Sequence, residues 1–190
     1  MKNILKISLF LFTICSCNSQ NKQTSSYKIA NNYYVIDSAF LGSKFKIIVL
    51  EKKINKTKDI SQHNSLPIII LEKRNNLFFE FKSNKKIFFA YNDNCPADGY
   101  QSVVSKNSYF TIEQTYCLDF KYVYSYTTFF VNQSTSKILL HKFGEEYTDR
   151  SNPDKKKQSK VWTKKDFGDV EFENVNEDFL KGLRKNNPKN

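Results

Sequence analysis

Between Phe120 and Val131 the chain alternates with a period of two. Phe120, Tyr122, Tyr124, Tyr126, Thr128 and Phe130 fall on one side, and Lys121, Val123, Ser125, Thr127, Phe129 and Val131 on the other. Successive side chains of a strand point to opposite faces, so this pattern predicts an extended strand with one strongly aromatic side. Such a stripe is expected to serve half as core and half as an exposed ledge. Burying Tyr122, Tyr124 and Tyr126 together would require partners for three hydroxyls, and an unsatisfied buried hydroxyl costs ~1–3 kcal/mol. At least one of them should therefore reach solvent. Tyrosine tolerates a half-wet position well, and Tyr beside Lys suits a binding surface. These three, with Lys121 and Lys142 at the rim, are the candidate binding ledge.

Most of the remaining chain reads as short strands between turn residues. Tyr33 to Ile36 and Phe45 to Leu50 are the first two candidates, with Asp37 to Ser43 as a loop between them. Glu51 to Ser65 is polar and Lys-rich, which predicts a long loop. Leu66 to Leu71 is continuously apolar, as in a strand buried on both faces, and Pro67 marks its start. Asn75-Asn76 turns the chain into Leu77 to Phe81, and Ser83-Asn84 into Ile87 to Tyr91, giving a three-strand meander. Asn132 to Ser136 turns the aromatic strand into Lys137 to Phe143, followed by a charged Gly144-Glu-Glu turn. Only the end is helical: Asn176 caps Glu177 to Lys185, acids first and bases last, as the helix dipole favours. The fold class expected is all-β, with antiparallel meander and hairpin sheets in a sandwich or barrel-like arrangement and one short C-terminal helix. Past Pro153 the lysine runs predict a solvated basic segment.

At the other end, Lys2 and Lys6 precede an apolar run, Ile7 to Ile14, that is too short to span a hydrocarbon core of about 30 Å. Ile14 stands three places before Cys17 and Ser16 directly before it. This resembles a bacterial lipoprotein signal with its lipobox, of the Bacteroidetes type. The resemblance implies that Cys17 becomes an acylated N-terminus, each buried CH₂ contributing about 0.8 kcal/mol to anchoring. The polar stretch from Asn18 to Tyr27 then serves as a tether. The expected organisation is a signal over 1–16, a flexible tether over 17–30 and a single β-rich domain over 31–190, which is enough chain for one core. Cys17 has no Asp after it, and the tether has no acidic cluster of the kind that sends some such lipoproteins to the cell surface. The expected place is the outer membrane, facing the periplasm.

The formal charge is +11, and it falls only to +9 when Lys2 and Lys6 leave with the signal. A basic domain favours anionic surroundings, although AT-rich coding also enriches Lys and Asn. Export directs the expectation away from nucleic acid and toward an acidic protein or an anionic glycan or lipid. The domain is expected to be a monomer. Of the four cysteines, Cys15 leaves with the signal and Cys17 is lipidated, so Cys95 and Cys117 remain as a natural disulfide pair in an oxidising compartment. A two-residue hairpin at Lys106-Asn107, pairing Ser105 with Ser108, would bring Cys117 opposite Pro96, one residue from Cys95. Two free thiols or a metal site are the alternatives, the latter without His at liganding spacing.

Tyr34 to Leu50, Asn94 to Gln114 and Tyr126 to Phe130 together resemble a loose group of small secreted bacterial β proteins with a degenerate propeller-type repeat, a group that implies no activity. In that group an acidic calcium loop precedes an apolar strand. Asp37 is the one acid left in the equivalent loop, whereas Ca²⁺ takes 6 to 8 oxygen ligands, so no metal is expected there. Asp37-Ser38-Ala39 is similar to the acceptor motif for O-glycosylation of exported Bacteroidetes proteins, with Ser38 as acceptor.

Catalytic signals are sparse. No phosphate loop, Gly-x-Ser-x-Gly elbow or His-Glu-x-x-His motif occurs, and His63 and His141 are the two imidazoles. His63 sits in a polar loop. His141, near Glu145 and Glu146, and the strand carboxylates Glu80 and Glu113 leave a cell-envelope hydrolase using Glu113 or His141 as the alternative reading. The leading expectation is a non-catalytic envelope lipoprotein, a binding or immunity-type module without cofactor. The anchor is directly testable. Wild-type chain should partition into the detergent phase, whereas Cys17→Ala should remain uncleaved or soluble; mature wild-type chain in the aqueous phase would contradict the lipobox.

Overall fold

The computed structural model describes residues 26–53, 66–89, 95, 99–152, 154 and 158–186. Cys17 and its lipobox, His63 and Lys155 to Lys157 lie outside the described residues. Two antiparallel sheets make up the described fold. The first has β1 (Tyr33–Leu41), β2 (Phe45–Lys52), β3 (Ile68–Arg74) and β4 (Leu77–Asn84), and the second β5 (Gly99–Lys106), β6 (Tyr109–Leu118), β7 (Lys121–Asn132), β8 (Lys137–Asp149) and β9 (Gln158–Thr163). Each strand pairs with its neighbours in chain order, and the sheets do not close into a barrel. Helix α1 (Lys164–Phe167), a 3₁₀ turn (Phe172–Asn174) and α2 (Glu177–Lys185) follow.

Asparagine and aspartate supply the tight turns. Asn75 and Asn76 both have positive φ, at 49° and 63°, as does Asn107 at 55°. These residues tolerate the left-handed region because their short polar side chains bond locally, and that hand matches the twist of a hairpin. One core lies between the sheets. Leu41, Phe45, Ile47 and Ile68 meet Phe110, Ile112, Phe129 and Phe143, and Trp162 and Phe172 complete it from the C-terminal segment. Phe129 stacks on Phe110 at 5.1 Å and meets Phe172 edge-on at 5.1 Å. The β7 residues that face this core are Val123, Ser125, Thr127, Phe129 and Val131. The aromatic side of the alternation is thus the outer one.

Several boundaries differ from the sequence expectation. Asp37 to Leu41 is not a loop: β1 continues through it to Leu41 after a bulge between Val35 and Asp37, and the turn is made by Gly42 to Lys44. Ser83-Asn84 does not turn the chain, because Asn84 ends β4 with its side-chain amide bonded to the carbonyls of Phe172 (2.6 Å) and Val175 (2.7 Å). Of the strand expected over Ile87 to Tyr91, Ile87 to Phe89 are buried without strand structure and Tyr91 lies outside the described residues. Phe120 lies in the β6–β7 turn rather than in the strand. The hairpin expected at Lys106-Asn107 turns one residue later, with Lys106 opposite Tyr109. Gly144-Glu-Glu is no turn but the middle of β8. The segment past Pro153 is not merely solvated charge, since it supplies β9, Trp162, Phe172 and Val175 to the core. Helix α2 forms as expected, with the Asn176 side chain accepting from the Phe179 N–H at 2.8 Å.

The two sheets are tied at one edge by Asp37. Its Oδ2 accepts from the Val103 N–H (3.0 Å) and the Tyr100 hydroxyl (2.5 Å), and nearby the Ser105 hydroxyl donates to the Phe40 carbonyl (2.5 Å). Burial, and then the Asp37 carboxylate, hold the Tyr100 phenol well above its ordinary pKa. Positions advance together along β1 and β5 in these contacts, so the strands run side by side in the same direction. Cys95 and Cys117 are disulfide-bonded, with Cα atoms 5.5 Å apart. In the chain-entropy picture, closing this loop stabilises the fold by about 3 kcal/mol, a large part of a small domain's stability. Cys95→Ser/Cys117→Ser should lose about that much in urea denaturation; unchanged stability would show that the bridge constrains nothing.

Candidate functional site

The outer face of the five-stranded sheet carries the expected ledge. Tyr122, Tyr124 and Tyr126 are all half-buried, while Val123, Ser125 and Thr127 beneath them are buried. Each ring has a distinct support. Tyr126 lies opposite Gly144 of β8, and a Cβ at Gly144 would stand 2.1 Å from its ring, so the ring rests across bare backbone. A glycine covered by a cross-strand aromatic is a recognised sheet-stabilising pair. Lys142 Nζ lies 5.0 Å from the centre of the same ring. Tyr124 is hydrogen-bonded to Glu113, and its phenol is pushed up by burial first and then by that bond and the charges of Glu113 and Glu146. Over Tyr122 sits the Arg150 guanidinium, 5.2 Å from the ring centre.

Lys121 departs from the expected rim position. It belongs to the odd-numbered side of β7, and its Nζ sits 5.6 Å over the ring of Tyr147 instead. The cation at the Tyr122 end is Arg150, which a reading confined to the β7 pattern could not supply. Glu113 accepts from the Ser102 hydroxyl at 2.5 Å. His141 is exposed at the bulge in β8, opposite the Thr128–Phe129 step, and its ring packs 4.8 Å from that of Tyr109. Ser38 is exposed within β1, opposite Ile48, with its own N–H bonded to Asp37 Oδ1 at 2.6 Å. The O-glycosylation candidate therefore stands in an edge strand rather than in a loop.

A second constellation on the core side was not legible in advance. Glu145 is fully buried, and Arg184 of α2 reaches it through Nε at 2.7 Å. The hydroxyls of Tyr116 and Tyr147 donate to the two carboxylate oxygens, and Arg184 Nη2 donates to the Tyr116 hydroxyl at 2.5 Å. The guanidinium also lies 4.6 Å from the ring centre of Phe89, which stacks on Tyr116 at 4.2 Å. Burial raises both phenols, and the Glu145 charge adds to the shift. Arg184 is held more firmly protonated: burial works against its charge, but Tyr116 and Glu145 outweigh it. Each oxygen of Glu145 thus accepts from at least one of these donors. Beside it opens a cleft of about 250 Å³, lined by Lys121, Tyr147, Lys160 and Arg184 among others.

Among the described residues no group of three His, Cys, Asp or Glu side chains is placed to hold a metal, and no described helix is long and apolar enough to cross a membrane. No family model, curated protein or solved structure matches the chain. The buried pair itself can be measured. Removing one partner of such a pair typically costs ~3–5 kcal/mol because the other charge is left uncompensated. Arg184→Met should lose an amount in that range in urea denaturation, and Glu145→Gln/Arg184→Met should recover part of it.

Proposed function

We propose that the protein is a non-catalytic binding module, carried on the cell envelope by acylated Cys17, whose protein partner docks on the outer face of the five-stranded sheet. The observation that carries this reading is the tyrosine ledge: Tyr122, Tyr124 and Tyr126 point outward from a strand whose other side is core. Each ring is held from a neighbouring strand or its end, by Gly144 and Lys142, by Glu113, or by Arg150. Rings held in this way lose little freedom on binding, and Tyr and Arg are the side chains that most often dominate an interface. The ledge is charged at its rims by Lys142 and Arg150 and acidic within, at Glu113 and Glu146, which suits a protein surface of mixed charge. Neutralisation of a toxin delivered by a competitor, as by an immunity protein, is the most concrete form of this role. The hydrolase reading has less support. Glu113 is tied to Ser102 and Tyr124, His141 packs on Tyr109, and neither lines the three clefts described for this fold.

Two variants test the ledge. Tyr124→Ala/Tyr126→Ala should still fold, with a cooperative but lowered thermal transition because the Gly144 cover and the Glu113 bond are gone, yet lose the envelope or competitor protein that wild type retains in affinity capture. Gly144→Ala leaves all three tyrosines in the sequence but pushes the Tyr126 ring off its seat, and it should weaken capture as well. Equal retention by wild type and both variants would remove the ledge from the interface.

A further inference from the structure

The turns β1–β2, β3–β4, β5–β6 and β7–β8 gather at one end of the sandwich, because β1 and β5 run in the same direction and each sheet alternates from there. A Cβ on Gly42 of the first turn would lie 3.9 Å from the Gln133 side chain of the last. Phe40 is 59% exposed at this end and Leu77 47%. The Phe40 ring lies 6.5 Å from that of half-buried Phe78, with Lys46 Nζ 5.1 Å over it. Single exposed apolar side chains are ordinary, whereas this group is ringed by cations. Lys44, Lys46, Lys73, Arg74, Lys106 and Lys137 lie in these turns or in the strand ends that they join. Glu72 and Glu80 are the acids of the same strand ends among the described residues, and Glu72 is buried between Lys44 (3.0 Å) and Arg74. The segment after β9, where Glu171 bridges to Leu139 of β8, adds Lys164 and Lys165 against Asp166, Asp169 and Glu171. Eight cations thus stand against five carboxylates, and the larger part of the excess is on the first sheet, around Phe40 and Leu77.

The chain toward Cys17 leaves from this same end. Ile47, Val49, Ile68 and Ile70 face the core, so Ile48, Leu50, Ile69 and Leu71 face outward, yet each of these four is at most 6% exposed. Tyr27, Tyr33 and Phe78 pack on them, so the chain before β1 crosses the outer face of the first sheet. It is fixed where the Tyr27 N–H donates to the Phe78 carbonyl at 2.7 Å, one residue inside the β3–β4 turn. From Cys17 to Tyr27 the chain advances ten residues, which span at most about 36 Å when fully extended. β7 alone has 12 residues, a length of about 40 Å. An anchor at Cys17 therefore reaches a bilayer beneath this end with chain to spare, and one beneath the opposite end only when pulled straight.

We infer that this end of the sandwich docks on an anionic phospholipid bilayer. Phe40 and Leu77 enter the interfacial region, and Lys46, Lys73 and Lys106 meet lipid phosphates. An apolar tip with flanking cations gains from both apolar burial and the negative surface potential, and each Lys or Arg at such a surface is worth a roughly fivefold change in partitioning. The orientation rests on the acylation of Cys17 proposed above. It stands the tyrosine ledge edge-on to the bilayer with Tyr122 farthest from it, because β7 starts at the opposite end.

Phe40→Trp and Phe120→Trp, each in the full chain, report on the two ends separately, since Phe120 is 78% exposed in the β6–β7 turn. The native Trp162 is fully buried with its indole N–H bonded to the Asn186 carbonyl at 3.1 Å, so it provides a constant background. On vesicles of phosphatidylglycerol and phosphatidylcholine that hold the anchored chain, Phe40→Trp emission should shift to the blue and be quenched by brominated acyl chains, whereas Phe120→Trp emission should do neither. Adding Lys46→Ala/Lys73→Ala should lower the ratio of docked to undocked chain by roughly 25-fold at low salt, read as loss of that quenching. A chain that does not float with phosphatidylcholine vesicles carries no acyl anchor; a Phe40→Trp response to phosphatidylglycerol in such a chain would support the docking end and remove only the role of Cys17. Two outcomes would overturn the proposal. One is an anchored chain that floats while the two tryptophan variants are quenched alike or not at all. The other is retention on an anionic polysaccharide, lost in Lys46→Ala/Lys73→Ala, with no response of Phe40→Trp to vesicles, which would assign these cations to a glycan.

Discussion

A carboxylate with no access to water sits in the middle of β8, and the whole C-terminal third is arranged around it. Glu145 could not remain charged among Phe and Trp side chains without a counter-charge, because the desolvation of a lone ion costs far more than a domain of this size can offset. Arg184 supplies that charge, and one phenol donates to each carboxylate oxygen. To deliver the guanidinium, α2 must lie against the sheet, which in turn seats Leu180 and Leu183 in the core and brings Asn186 to Trp162. Ion pairs of this kind contribute little net stability compared with an apolar replacement, but they leave one docking geometry for the helix.

Polarity also organises the rest of the interior. Gln114 Oε1 accepts from the Phe89 N–H at 3.1 Å, which holds the irregular stretch after β4 against β6. Gln114 Nε2 and Thr127 Oγ1 are buried without a hydrogen-bond partner among the described residues, a cost of ~1–3 kcal/mol each. The Asp37 junction does the corresponding work at the sheet edges. Two exposed rows of backbone donors and acceptors would invite a further strand, and side-chain bonds between β1 and β5 cover part of both.

The repeating parts of this fold were legible in the sequence, and the singular ones were not. Period-two alternation placed β7, the apolar run placed β3, and Asn176 with its following acids placed α2, because each is a local pattern with a local cause. The ledge was readable for the same reason: three phenols on one strand are hard to satisfy in a core. By contrast, Asp37 looked like a loop residue because its partners, Val103 and Tyr100, are distant in the chain. Ile87 to Tyr91 looked like a strand, whereas Ile87 to Phe89 are buried without strand structure, with the Phe89 N–H bonded to the side chain of Gln114. Glu145 beside Gly144 and Glu146 looked like a charged turn, since nothing nearby in sequence announces Arg184. Gly144 itself gave no sign that Tyr126 would need the space of its missing side chain.

The separation of 39 positions between Glu145 and Arg184 also bears on the order of assembly. A chain is made from its N-terminus onward. While residue 184 is still unmade, pairing of β8 with β7 leaves Glu145 without its cation. The first sheet is likewise tied to later residues: its buried Leu41, Phe45, Ile47 and Ile68 pack on Phe110, Ile112, Phe129 and Phe143, and Asn84 bonds to the carbonyls of Phe172 and Val175. The finished interior of both sheets therefore draws on the C-terminal segment, where Arg184, Phe172 and Val175 lie.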